Sequence, residues 1–181
     1  MLRKTTRQII LFLLNSLILP QLIVSKGLYA VSIVKSFNTH YLKEYNVHIN
    51  PGNDSLDIYL KIAKTFDQIP WLSLALNLKD TATNRSRPLL QYDVNLCDLL
   101  DKGRGKFLTA WIHNFWRYGN LPRSCPFKEG VYYWNNLTLD TRNIPPFLML
   151  PSHYEALIKI NFKKRSKKEM ISDTKLTMEW K

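Results

Sequence analysis

Cys125-Pro126-Phe127-Lys128-Glu129-Gly130-Val131-Tyr132-Tyr133-Trp134 places a cysteine, a rigid turn and an aromatic strand in immediate succession. After Gly130 the residues alternate: Val131, Tyr133, Leu137 and Leu139 point one way, while Tyr132, Trp134, Asn136 and Thr138 point the other. The alternation predicts a strand with one buried face, and it puts Tyr133 on that face and Asn136 on the solvent side. The chain has two cysteines, so Cys125 can pair within the chain only with Cys97. The bond would close a loop of about 29 residues, worth roughly 3 to 4 kcal/mol through the entropy it removes from the unfolded chain.

Inside that loop lies the one convincing amphipathic helix. Between Gly105 and Gly119, the side chains Phe107, Leu108, Trp111, Ile112 and Phe115 fall within an arc of about 140°, with Thr109, His113, Asn114 and Arg117 opposite. Gly119 supplies a stop, because glycine accepts the left-handed conformation that often ends a helix.

Outward from this region, alternation recurs. Tyr29 to Phe37 is a weaker strand, Tyr45, Val47 and Ile49 form one face of a second, and Leu56, Ile58, Leu60 and Ile62 form a third. The Pro51-Gly52 turn joins the last two as a hairpin. Leu72, Leu74, Leu76 and Leu78 follow a break at Pro70, and Leu90, Tyr92, Val94 and Leu96 follow a polar loop. Past a proline-rich, apolar loop from Ile144 to Pro151, alternation returns in Tyr154, Ala156, Ile158, Ile160 and Phe162 and ends in Leu176, Met178 and Trp180. The chain reads as mainly β: one domain of roughly seven to nine short strands in a sandwich or cup, with one helix and one disulfide.

The amino terminus has the order of a secretory leader. Arg3, Lys4 and Arg7 precede an apolar run from Ile9 to Val24, and small or polar residues follow at Ser25, Gly27 and Ala30. A membrane span is disfavoured, since the run is interrupted by Asn15, Ser16, Pro20 and Gln21 and falls short of the roughly 20 apolar residues a span needs. Residues 1–25 are therefore expected to be removed, with the cut between 25 and 30, leaving 26–181 as a single extracellular domain. The whole chain has a formal charge of +12, and the mature part stays strongly basic. Export would make three N-glycan acceptor patterns usable, at Asn53, Asn84 and Asn136. Their number is near what chance supplies, so placement carries the expectation: a turn, a polar run and the solvent side of a strand.

Asp93-x-x-x-Cys97-x-x-Leu100, then the aromatic helix, then Ser124-Cys125-Pro126 and Gly130-x-Tyr132-Tyr133, resembles a family of small secreted insect proteins that includes the chemosensory CheB-type proteins. That family is itself distantly similar to the ML lipid-recognition proteins and the ganglioside activator protein. The resemblance runs from about Val31 to Phe162. It implies an immunoglobulin-like β-cup around an apolar cavity, and an activity of holding a lipid or another hydrophobic molecule. Two departures stand out: Pro151-Ser152-His153-Tyr154 replaces the Pro-x-Gly-Tyr frequent in relatives, and the turn Lys163-Lys164-Arg165-Ser166-Lys167-Lys168 is unusually basic.

Catalytic signatures are missing. The sequence has no nucleophile elbow, no His-Glu-x-x-His, no phosphate-binding glycine loop and no Cys-x-x-Cys. His40, His48, His113 and His153 are scattered, and Ser152 and His153 would point to opposite faces of a strand. No enzyme, metal or cofactor is expected. Two functions stand at this point. One is a carrier enclosing a hydrophobic small molecule or lipid in a cavity lined by Leu74, Leu76, Phe107, Trp111, Phe115, Tyr133, Phe147 and Met149, with its mouth at 146–150, in chemosensation or reproduction. The other is an extracellular module with a filled core whose basic surface meets a receptor, a glycan or an anionic membrane, but no nucleic acid.

Overall fold

The computed structural model describes residues 27–80, 83, 85–102, 106–138, 152–164 and 167–180. Eight strands are found there: β1 (Leu28–Phe37), β2 (Leu42–Ile49), β3 (Ser55–Ile62), β4 (Pro70–Asp80), β5 (Arg85–Asn95), β6 (Gly130–Thr138), β7 (His153–Lys164) and β8 (Lys167–Trp180). Two helices, α1 (Leu96–Lys102) and α2 (Lys106–Tyr118), lie between β5 and β6 in the chain. One antiparallel sheet has the order β1-β8-β7-β4-β5 and the other β2-β3-β6, a β-sandwich closed by the disulfide Cys97–Cys125, whose Cα atoms are 5.6 Å apart.

Local chemistry explains the boundaries. Gly52 (φ 100°) and Asn53 (φ 62°) supply the left-handed residues of the β2–β3 turn, and the Asn53 N–H donates to the Asn50 carbonyl at 3.0 Å. Pro70 opens β4, the strand position where a missing N–H costs least. Leu96 was expected to continue β5, and the structure instead turns there into a second helix. Asn95 is the reason: its side-chain oxygen accepts the N–H groups of Cys97 at 2.9 Å and Asp98 at 3.1 Å, an N-cap that takes up two of the helix's unpaired donors.

The interior is built from two clusters. Tyr41, Leu42, Ile62, Phe66, Leu99, Leu100, Ile112, Phe127, Phe162 and Ile171 form the larger one, in which Phe162 meets Tyr41 and Phe66 edge to face at 4.9 and 5.2 Å. Leu28, Ala30, Leu56, Tyr154, Ala156, Leu176 and Met178 form the other. The sheets are tied along one side by Lys35 on β1, which donates to the Tyr45 carbonyl (2.6 Å) and Asn46 Oδ1 (2.8 Å) of β2. Across the interior the Tyr45 hydroxyl meets Thr174 Oγ1 at 2.6 Å.

The predicted facing of β6 is corrected. Val131 and Tyr133 are exposed, at 41 % and 44 %, and Trp134 is buried at 5 %. Leu137 is nevertheless buried as expected, because the register slips: Leu56 pairs with Leu137 but Ile58 with Trp134, so Asn135 and Asn136 together oppose Asp57. This bulge reverses the parity within the strand. Asn136 takes φ 53°, a left-handed value that asparagine tolerates better than most residues.

Candidate ligand-binding site

The inner face of the larger sheet is sealed unevenly. Along β8, Ser172, Thr174, Leu176 and Met178 are all buried. Along β4, the inward Leu72, Leu74, Leu76 and Leu78 are each only half-buried, although β4 lies inside the sheet with β7 and β5 on its two sides. Tyr92 and Val94, paired with Leu74 and Leu72 on β5, and Ile158 and Ile160 on β7 are half-buried as well. These side chains make a continuous apolar wall, with Leu72, Leu74, Tyr92, Val94 and Ile160 packed against the larger core cluster and Leu76 and Leu78 against the other.

The helix α1 stands against β4 and β5, and α2 packs on β6. Leu99 and Leu100 of α1 and Ile112 of α2 enter the larger cluster, and Trp116 packs against it with its indole N–H donating to the Pro122 carbonyl at 3.4 Å. Trp116 falls outside the arc read from the sequence. Phe115 does meet β6, through Trp134 and not Tyr133: the rings are 5.5 Å apart, edge to face, and the Trp134 indole N–H donates to the Phe115 carbonyl at 2.9 Å. Gly119 also plays a different part from the left-handed stop expected of it. It bridges to Trp134, where a Cβ would overlap the Tyr133 carbonyl oxygen and the Trp134 ring, so glycine is needed for close approach. Beside it, Asn120 receives the Tyr133 N–H on Oδ1 (2.7 Å) and donates from Nδ2 to the Val131 carbonyl (2.9 Å), closing the free edge of β6 as a partner strand would.

Of the residues expected to line a cavity, Leu74 and Leu76 lie on the apolar wall, Phe115 lies across from it at Trp134, and Tyr133 points away. Phe107 and Trp111 belong to α2. Phe147, Met149, the rest of the 146–150 mouth and the leader lie outside the described residues, as does Asn84. Among the described residues a small, partly open apolar space of about 40 Å³, room for about one to three waters, lies between Leu42, Leu60, Phe127, Ile160 and Ser172. Ser172 is 5 % exposed, and its hydroxyl has no hydrogen-bond partner among the described residues.

Polar clusters sit outside this interior. At the β2–β3 turn, Asn50 Nδ2 donates to Asp57 Oδ1 and to Asn136 Oδ1, each at 3.0 Å, and the Asn136 N–H donates to Asp57 Oδ1 at 2.7 Å. The bond from Asn50, helped by the Asn136 amide, holds the Asp57 carboxyl below the ordinary carboxylate value. Asn53 and Asn136, two of the three glycan acceptors, are exposed at this end of the sandwich. On the basic hairpin, Lys163 lies 3.3 Å from the centre of the Trp71 ring and 3.0 Å from Asp93 Oδ2, with Lys168 at 3.9 Å from the same oxygen. Burial pushes the Asp93 carboxyl up, but Lys163, Ser73 and Lys168 outweigh it and leave the group below its usual value. Two cations of the hairpin are thus engaged within the fold.

Among the described residues no helix is long and apolar enough to cross a membrane, and no three metal-binding side chains converge. No curated protein matches the chain. Residues 72–156, which run from the apolar wall of β4 through β5, the disulfide, both helices and β6 to the start of β7, match a sequence family described as a protein of unknown function (DUF1091).

Proposed function

We propose that this protein is a secreted, non-enzymatic carrier of a lipid or another small hydrophobic molecule. The observation that carries the reading is the apolar wall of Leu72, Leu74, Leu76 and Leu78, four inward leucines of one strand that each stay only half-buried. Burying such a wall against a ligand recovers the transfer free energy it forgoes while exposed, about 25 cal/mol per Å². The resemblance to CheB-type and ML proteins supports the same reading and adds a chemosensory or reproductive setting. Export rests on the leader and the disulfide, and the bond itself favours an oxidising compartment. An anionic membrane surface or a receptor is the natural partner for delivery, given the net positive charge.

The test is organic extraction of the protein secreted from eukaryotic cells, with mass spectrometry of the extract, followed by titration with a fluorescent fatty acid. A copurifying hydrophobic compound and saturable probe uptake are expected. Leu74→Trp or Leu76→Trp should weaken uptake more than tenfold while lowering stability by less than the 1 to 3 kcal/mol typical of overpacking a filled core. Absence of both extractable compound and uptake would leave the filled-core interaction module as the better account.

A further inference from the structure

The outer face of the five-stranded sheet carries a groove of about 520 Å³, on the opposite side of the strands from the apolar wall. Its floor includes the outward side chains Ala75, Leu157 and Met170, the last 37 % exposed. The charges around it already oppose one another. Lys159 sits 3.2 Å from Asp173, and Asp93 takes Lys163 at 3.0 Å, the Ser73 hydroxyl at 3.1 Å and Lys168 at 3.9 Å.

Asn161 is different. It lies on β7 between Trp71 of β4 and Met170 of β8 in register, lines the groove, and is only 7 % exposed. Its side-chain amide has no hydrogen-bond partner among the described residues. A buried amide left unpaired is unfavourable, and buried polar groups in folded proteins are paired in the large majority of cases. An amide offers two donors and one acceptor, so the group that satisfies it must both accept and donate at short range. Gln91, also on the groove lining, presents the same chemistry from β5.

We infer that this groove binds a neutral saccharide. Each sugar hydroxyl donates and accepts, which matches the Asn161 and Gln91 amides and the free lone pairs of Asp93 and Asp173. The C–H face of a pyranose ring suits Ala75, Leu157 and Met170. An anionic ligand would meet Asp93 and Asp173, and a cationic one would meet Lys159 and Lys168, so the balanced lining favours a ligand without charge. The groove's lining also takes in Leu74 and Tyr92 of the apolar wall, but the side chains that would hold the saccharide, Ala75, Gln91, Leu157 and Asn161 among them, alternate onto the other face of the sheet.

The glycosylated, secreted protein can be applied to an array of neutral, sialylated and sulfated glycans, with the strongest neutral oligosaccharide then titrated free in solution. Binding to a related set of neutral glycans is expected, both free and immobilised. Asn161→Leu should reduce it at least tenfold without lowering the melting temperature, because the variant removes an unpaired polar group from a covered position. Ala75→Trp, which fills the floor from an outward position, should abolish it, and neither change should alter fatty-acid probe uptake. The inference is overturned if no neutral saccharide binds, if only sialylated or sulfated glycans bind, or if Asn161→Leu binds as well as the parent.

Discussion

β4 and β8 are both interior strands of one sheet, each hydrogen-bonded on its two sides, yet they bury their inner faces to different extents. β8 presents Ser172, Thr174, Leu176 and Met178 and is sealed throughout, while β4 presents four leucines and is sealed at none of them. The strand with the stronger apolar pattern is the one left partly open. Alternation therefore reports which way a side chain points, and what stands opposite decides whether it is covered. Opposite β8 stands β2 of the other sheet, joined to it by the Tyr45–Thr174 bond and to its neighbour β1 by Lys35; toward β4 and β5 stands α1, while α2 packs on β6.

The sharpest way to break the contrast is to release the helices. Cys125→Ser removes the bond that fixes α1 to the segment leading into β6, and loss of a native disulfide from a small domain costs about 2 to 5 kcal/mol. Secretion should fall sharply, and the surviving material should bind a polarity-sensitive dye more strongly, as the β4 wall loses what cover it has. Normal yield with two free thiols in the parent would remove the disulfide from the account.

Truncating one side chain on each strand sharpens the comparison. Met178→Ala on β8 should cost about 2 to 4 kcal/mol, because the site is 2 % exposed and the vacated space cannot refill. Leu74→Ala on β4 should cost about 1 to 2 kcal/mol, since part of the removed surface already meets water. Equal costs in chemical denaturation would mean that the two walls are packed alike, and the half-open interior would go with them.

Gly119→Ala tests the join between helix and sheet. The added methyl group meets the Tyr133 carbonyl and the Trp134 ring, so α2 or β6 must shift, at a cost of about 1 to 3 kcal/mol. A glycine needed only as a helix stop would make the effect smaller and would leave Trp134 fluorescence unchanged. A blue-shifted or quenched Trp134 signal is expected if the join moves, best read in a variant lacking the other tryptophans.

The strand count, the β2–β3 hairpin, the helix between the cysteines and the disulfide were legible because each rests on a local pattern: alternation, Pro51-Gly52, a 3.6-residue period, and a cysteine with one available partner. The facing of β6 was not, because a bulge inserts a residue without changing composition; Asn135-Asn136 was the available cue, as asparagine accepts left-handed backbone. α1 was hidden by a run of leucines that suits either strand or helix, and Asn95 as a cap was the signal for a break. At the site, Leu74 and Leu76 were found by parity. Trp116 and Trp134 were missed because they depend on where helix and strand cross, and Asn161 because nothing local distinguishes a covered asparagine from an exposed one.

The smallest effect separates the two sheets by pH. Asp57, on β3, and Asp93, on β5, are both held below the ordinary carboxylate value near 3.9, the first by Asn50 and the Asn136 amide, the second by Lys163, Ser73 and Lys168 against the opposing effect of burial. A depressed carboxyl contributes stability that is fully present above its unfolded-state pKa and is lost as pH falls through the folded-state value. Both contributions are thus intact at pH 5 and above and fade below about pH 4. The causes differ, so the salt response should differ: the Asp57 bonds are short-range and mostly uncharged, whereas the lysines around Asp93 are screened. Melting curves from pH 5 to pH 2 should flatten in Asp57→Asn at any ionic strength, because asparagine keeps an acceptor for both donors but no longer titrates. In Asp93→Asn the flattening should be clear at low salt and small at 0.5 M. An acid slope that neither substitution changes would mean that other carboxyls set the acid limit and that these two clusters are held by packing alone.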